Sequence, residues 1–108
     1  MNINEISEKL WCGTIKKFDH SLADHSLKIV VEVTENSVQK FYQLELFQVS
    51  NLELTCQHPD EKWDYVELTE INIEQSENYL KLKCDLWSSA KLLIFCKNIF
   101  LKELPEEK

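Results

Sequence analysis

The chain has 108 residues, with 12 basic and 19 acidic side chains, a net charge of −7 and an apolar fraction of 44%. That length fits one domain around one core, and the negative charge repels phosphate backbones, which sets nucleic-acid binding aside. No apolar run reaches the ~20 residues of a membrane-spanning helix, and the opening residues, MNINEISEKLW, lack the basic and apolar regions of a signal peptide, so a cytoplasmic location with thiol cysteines is expected.

Residues Asn2 to Leu10 read as a short helix, with Ile3, Ile6 and Leu10 on one face and Asn2 or Asn4 as its cap. A helix that short needs a sheet to dock on. Trp11 to Phe18 reads as the first strand, with Trp11, Gly13 and Ile15 on one side. Gly13 is the only glycine, and in a strand it marks a bulge or a close approach by another backbone. Asp19 to His25, DHSLADH, is a polar connection. Leu27, Ile29, Val31 and Val33 then alternate with polar residues in a β-branched strand. Thr34 to Ser37 is a turn with Asn36 as its left-handed residue.

From Phe41 to Cys56 the apolar parity changes twice, from Tyr42, Leu44 and Leu46 to Phe47 and Val49, then to Leu52, Leu54 and Cys56. A one-residue slip swaps faces, so each change demands a bulge or bend, and a bend is expected at Ser50-Asn51. Val38 to Leu46 also fits helical spacing, but its β-rich neighbours favour a strand. His58-Pro59-Asp60-Glu61 is a turn. Trp63 to Glu74 is a strand with an irregularity at Thr69-Glu70, and Gln75 to Asn78 is the next turn.

Tyr79 to Leu104 carries the clearest pattern. Leu80, Leu82, Cys84 and Leu86 alternate with Lys81, Lys83 and Asp85, and Leu92 to Cys96 is apolar on both parities. A hairpin through Ser88-Ser89-Ala90 places even-numbered residues opposite even-numbered ones. Cys84 and Cys96 then share a face, opposed or one pair out of register. The parity of Leu93 and Phe95 is expected to lie under the N-terminal helix. Residues 1–104 form the expected domain, and Pro105 to Lys108 is a polar tail. The expected fold class is all-β, an antiparallel sandwich or partly closed barrel of about six to eight strands with a short N-terminal helix.

Four groups of residues invite a functional reading. Asp19, His20, Asp24 and His25 offer imidazole and carboxylate ligands to a metal, or an oriented acid-base pair, although they match no established ligand spacing and polar residues between strands are usually a solvated loop. Cys12, Cys56, Cys84 and Cys96 contain no CxxC and read as small buried hydrophobes. Trp11, Trp63, Tyr65 and Trp87 suit a pocket or an interface as well as core edges. Asp60, Glu61, Asp64, Glu67, Glu70, Glu74 and Glu77 form an acidic cluster that fits a solvated face or a docking patch. There is no GxSxG, and one glycine cannot make a phosphate-cradling loop.

Three segments together, FYQLELFQVSNLEL (41–54), WDYVELTEINIEQ (63–75) and LWSSAKLLIFCKNIFLKEL (86–104), resemble a group of small, mostly uncharacterised bacterial proteins that includes YxiG-like proteins encoded near polymorphic-toxin loci. The likeness runs from Leu10 to Glu103 and lies in hydrophobic patterning. It implies an all-β domain and an immunity-type role, and it brings no catalytic motif. The expected function is therefore protein interaction without catalysis or cofactor, through Asp60, Glu61, Trp63, Asp64, Glu67, Glu70 and Glu74. A basic partner protein suits that charge, and the chain itself is expected as a monomer or homodimer. The alternative is a small-ligand- or metal-binding domain using Asp19 to His25.

Overall fold

Each stretch of apolar alternation from Leu27 to Cys96 folds as strand. The computed structural model describes residues 3–60, 62, 65–87 and 90–105. One helix, α1 (Ile3–Leu10), precedes eight strands: β1 (Thr14–Ser21), β2 (Ser26–Glu35), β3 (Val38–Phe47), β4 (Asn51–Thr55), β5 (Val66–Gln75), β6 (Leu80–Leu86), β7 (Ala90–Cys96) and β8 (Asn98–Leu104). All pairings are antiparallel, in the order β4-β7-β6-β5-β1-β2-β3-β8. The fold is all-β with one short helix, and the sheet is not closed into a barrel. Among the described residues no helix is long and apolar enough to cross a membrane.

The sheet has two halves. β1, β2, β3 and β8 form one, and β4, β7, β6 and β5 the other. On one side they meet through a short pairing, Thr14 with Glu67 and Ile15 with Val66. On the other side the chain itself passes between them, at 48–50 and at Lys97. There Lys97 donates its amide to Phe47 (3.1 Å) and Ser50 donates to Phe95 (2.9 Å), so the β3–β8 ladder bends into the β4–β7 ladder. Gln48 takes a φ of 54° at this corner, which is why the parity changes between Leu46 and Leu52. The bend falls at 48–50, just before the expected Ser50-Asn51.

Both inward faces feed one core. Leu27, Ile29, Val31, Val33, Tyr42, Leu44 and Leu46 come from the first half, and Leu68, Ile71, Leu80, Leu82, Cys84, Leu86, Leu92, Ile94 and Cys96 from the second. Ile6 and Leu10 of α1 join them and are buried, as the helical spacing requires. No polar or charged residue is buried among the described residues. The Lys81–Lys83–Asp85 parity faces outward beside Leu93 and Phe95. Contrary to expectation, α1 does not cover that face. It packs on β5 and β2, while Phe95 is covered by the Tyr79 ring (5.3 Å between centroids) and the Lys81 ammonium (5.9 Å).

Local chemistry explains the turns. Glu35 pairs with Val38 across a two-residue loop, and Asn36 and Ser37 both take positive φ, 51° and 67°. This is the type I′ geometry whose twist matches the flanking strands. In β5, Thr69 is the extra residue between Leu68 and Glu70. Its hydroxyl donates to the carbonyl of Asp85 at 3.0 Å, and the bulge shifts inward parity from Leu68 to Ile71. The β6–β7 hairpin sets Leu86 opposite Ala90 and Cys84 opposite Leu92, so even residues do oppose even ones. Cys96 opposes Leu80, however. Four residues of offset separate the cysteines by about 13 Å along the strand, beyond the ~7 Å limit for a disulfide's Cα atoms. Ser88 and Ser89 of the expected turn, with Glu61, Trp63 and Asp64, lie outside the described residues.

Two expected boundaries move. Trp11 and Cys12 do not begin the first strand, because Cys12 takes a φ of 61° and ends the helix in a left-handed residue. Strand starts only at Thr14. Asp19 and His20 do not lie in a connection. They continue β1, opposite Lys28 and Leu27, and only 22–25 form the turn.

Gly13 lies between helix and strand. A Cβ there would come within 2.3 Å of Val31 Cγ1, 2.9 Å of Val33 Cγ1 and 3.1 Å of the Leu10 carbonyl. The glycine thus marks a close approach, and the bulge of β1 falls beyond it, between Ile15 and Lys17. Gly13→Ala is expected to destabilise the protein by about 1–3 kcal/mol through overpacking, measured by urea unfolding. An unchanged midpoint would show that the valines yield freely.

Candidate functional site

The Asp19 to His25 group is not assembled into a ligand set. Asp19 and His20 are neighbours along β1 and point to opposite faces. Asp24 is held in the turn by Ser21, whose hydroxyl donates to its carboxylate (3.1 Å) and accepts from its amide (3.3 Å). His25 has a φ of 54° and uses its carbonyl to accept from the Val49 amide at 2.8 Å. Among the described residues, no three His, Cys, Asp or Glu side chains are grouped to hold a metal.

The cysteines divide by exposure. Cys84 and Cys96 are buried, and burial pushes their thiols up to about 12 and about 11. They are protonated and inert at neutral pH. Cys12 is exposed and Cys56 partly so.

The expected acidic cluster is split. Glu67 and Glu70 share the outward face of the first half of β5, on either side of the Thr69 bulge. Glu74 lies further along, opposite Lys81 and 4.0 Å from Lys83, so a lysine column on β6 offsets it. Glu77 lies in the β5–β6 loop and lines a different depression. Asp60 is exposed in its turn.

What gathers around Glu70 was only partly expected. α1 packs on β5, so Glu8 and Trp11 come beside Glu70. Together with Ser7, Thr69 and Ile71 they line an open hollow of about 470 Å³. Trp11 is 64% exposed there. Its indole therefore stands in solvent at the helix end, near two carboxylates. Glu8 was missed because its spacing of three from Trp11 signals adjacency only if the helix continues that far. At the N-terminal end of the same strand, Tyr65 and Trp87 form a tilted pair with centroids 6.2 Å apart, both about half-exposed. Exposed tryptophan and tyrosine rings supply large contact area at low entropic cost.

A second, larger depression lies at the corner, where α1, the β5–β6 loop and the start of β8 meet. It is a shallow groove of about 1070 Å³ edged by carboxamides, including Asn4, Gln48, Asn78 and Asn98. Asn98 donates to the Gln48 side chain at 3.3 Å.

Two carboxyl groups are held below the usual carboxylate range, Glu35 at the end of β2 and Glu45 within β3 between Lys28 and Phe100. Lys40 donates to Glu35 at 3.2 Å, and the Tyr42 hydroxyl donates to it as well. Glu45 is held down by the Gln43 amide at 2.6 Å and by Lys102 at 3.4 Å. Burial and the nearby Glu35 charge raise Tyr42. Both lie in the other half of the sheet, on β2 and β3.

No family model matches the chain, and no curated protein does. Among solved structures it is similar to the crystal structure of an uncharacterized protein from Neisseria gonorrhoeae, at 13% identity and a TM-score of 0.66. The match covers 87% of this chain and 93% of that one. That likeness concerns the fold alone.

Two outcomes follow from these environments. In the native protein a thiol reagent should modify Cys12 fast and Cys56 more slowly, with Cys84 and Cys96 reacting only on unfolding; native labelling of all four would contradict the burial described. Glu35 is ionised more readily folded than unfolded, so its stabilisation is full above about 4.5 and is lost as pH falls through its depressed folded value. The stability gap between wild type and Glu35→Gln should accordingly close in acid. Chemical unfolding across pH 2–7 would show that, and a gap constant with pH would contradict it.

Proposed function

We propose that this chain is a non-enzymatic protein-interaction domain that binds a basic partner through the surface formed by α1 and the first half of β5. The observation that carries this reading is Trp11, 64% exposed, beside Glu8 and Glu70 in one open hollow. A tryptophan at the centre of a contact, flanked by carboxylates, suits a lysine or arginine side chain. The ring face attracts the cation and a carboxylate pairs with it. Glu67 extends the acidic surface along β5, and Tyr65 and Trp87 extend the aromatic one.

The net charge of −7 supports the same reading. Complementary charge steers encounter and raises association rates more than it deepens affinity. The most concrete form of the proposal is an immunity protein that captures and neutralises a basic toxin domain. In that role the carboxylates govern the on-rate and the indole governs the lifetime of the complex.

The test is co-purification with the protein encoded beside it, followed by binding kinetics. A complex is expected, with protection from the neighbour's toxicity. Trp11→Ala should weaken it by about 30-fold or more, as for a hot spot. Glu8→Lys with Glu70→Lys should slow association and reverse its dependence on salt. Absence of a complex and of protection would overturn the immunity form, and a complex indifferent to all three substitutions would overturn the surface.

A further inference from the structure

The groove at the corner lies at the other end of α1 from the Trp11 hollow, about 10 Å away along the helix axis from Asn4 to Trp11. Its chemistry differs from the rest of the surface. Five of its thirteen described lining residues are carboxamides, Asn4, Gln48, Gln75, Asn78 and Asn98, and all five are exposed. Lys97 and Glu77 are the charged residues among those thirteen, and they offset each other, so the groove is neutral on a chain of net charge −7. Two rings stand among the carboxamides. Phe100 is 58% exposed and is held edge-on by Phe47, with centroids 5.8 Å apart, while the exposed Tyr79 rests on Phe95.

We propose that this groove binds a neutral oligosaccharide. Each sugar hydroxyl both donates and accepts, and a carboxamide is the neutral side chain that offers an acceptor and two donors in one plane. Asn98 donates to the Gln48 side chain at 3.3 Å. That bond ties the two side chains together and leaves, among the described residues, the Asn98 carbonyl and the Gln48 amino group for a ligand. The Phe100 and Tyr79 rings offer apolar surface to the C–H face of a pyranose. Because Phe47 and Phe95 already hold them, they lose little freedom on binding.

Other ligand classes suit the groove less well. An apolar small molecule needs an enclosed, mostly apolar pocket, and this groove is shallow and edged by amides. A phosphorylated or otherwise charged ligand needs an excess of one charge, which the Lys97 and Glu77 pair does not supply. An extended peptide is captured by main-chain bonds along a strand edge, whereas the donors and acceptors here are side chains on a helix start, a loop and a bend. An open groove covers one face of its ligand, so the dissociation constant is expected on the order of 1 mM. The sugar site stands or falls apart from the binding role proposed for the Trp11 hollow.

Titration of the nitrogen-15-labelled full chain with cellotriose, maltotriose and triacetylchitotriose, followed by NMR, gives the test. At least one of these sugars should shift the Gln48, Asn78 and Asn98 side-chain amides saturably and leave the Trp11 indole in place. Asn98→Ala and Phe100→Ala should each weaken that sugar by about 10-fold, and Phe100→Trp should retain it. Both side chains are exposed, and circular dichroism with thermal unfolding checks that each variant folds. Asn78→Ala, in an exposed loop, carries the same expectation independently of the strands. Three sugars that leave these amides unmoved would overturn the proposal, as would saturable shifts centred on Trp11 or a binding constant indifferent to Asn98→Ala, Asn78→Ala and Phe100→Ala. Shifts of the same amides by a blocked neutral peptide of glycine and serine, with none from the sugars, would overturn it in favour of main-chain recognition.

Discussion

The junction at Gly13 decides where everything else lies. Within four residues the chain ends a helix, crosses from one half of the sheet to the other, and begins a strand. Gly13 donates to Leu10 at 3.0 Å and closes the helix. Cys12 donates to the Leu68 carbonyl at 2.9 Å, and the Leu68 amide donates back to Gly13 at 2.7 Å. β1 then pairs with the start of β5, Thr14 with Glu67 and Ile15 with Val66. These bonds stitch the halves on the side where the sheet would otherwise be open. They form only because the backbone at residue 13 can lie against Val31 and Val33, where a side chain has no room.

The candidate surface follows from that stitch. Because the helix ends at the seam, Trp11 is delivered to the edge of β5 instead of to the core. Because Thr69 is bulged, Glu70 returns to the outward face three residues after Glu67 rather than two. The helix also supplies Ile6 and Leu10 to the core, so the surface it forms with β5 rests on buried packing. The β1–β5 pairing runs to Ile15 and Val66, where β5 begins. Seam and surface are one construction.

Much of the architecture was legible because strands alternate. Leu27 to Val33, Leu80 to Leu86 and Leu92 to Cys96 expose their inward faces in the sequence, and the parity changes at Phe47 and Thr69 announced a corner and a bulge. Asn36 was legible because few residues accept positive φ. Cys12 and Gln48 also take positive φ, and nothing in their side chains declares it; tertiary bonds to Leu68 and across the corner impose it. That is why the start of β1 and the placement of Trp11 in it were misread. Trp11 and Gly13 share a parity, but the chain between them is not extended. The acidic cluster was overread for a related reason. Proximity in sequence grouped Glu67, Glu70 and Glu74, while the sheet set Lys81 and Lys83 against the last of them and brought in Glu8 from sixty residues away. Cross-strand neighbours, unlike parity, are not written in a single stretch of chain.

The seam can be probed one amide at a time. Native-state hydrogen exchange reports the free energy at which each backbone hydrogen bond opens. If the Gly13 junction holds the two halves together, the Cys12 and Leu68 amides exchange only with global unfolding, at the same free energy as the Leu82 and Ile94 amides in the centre of the other half. Exchange of Cys12 and Leu68 by local opening, well below the global value and insensitive to denaturant, would contradict the account, because the halves would then be held by the corner at 48–50 alone.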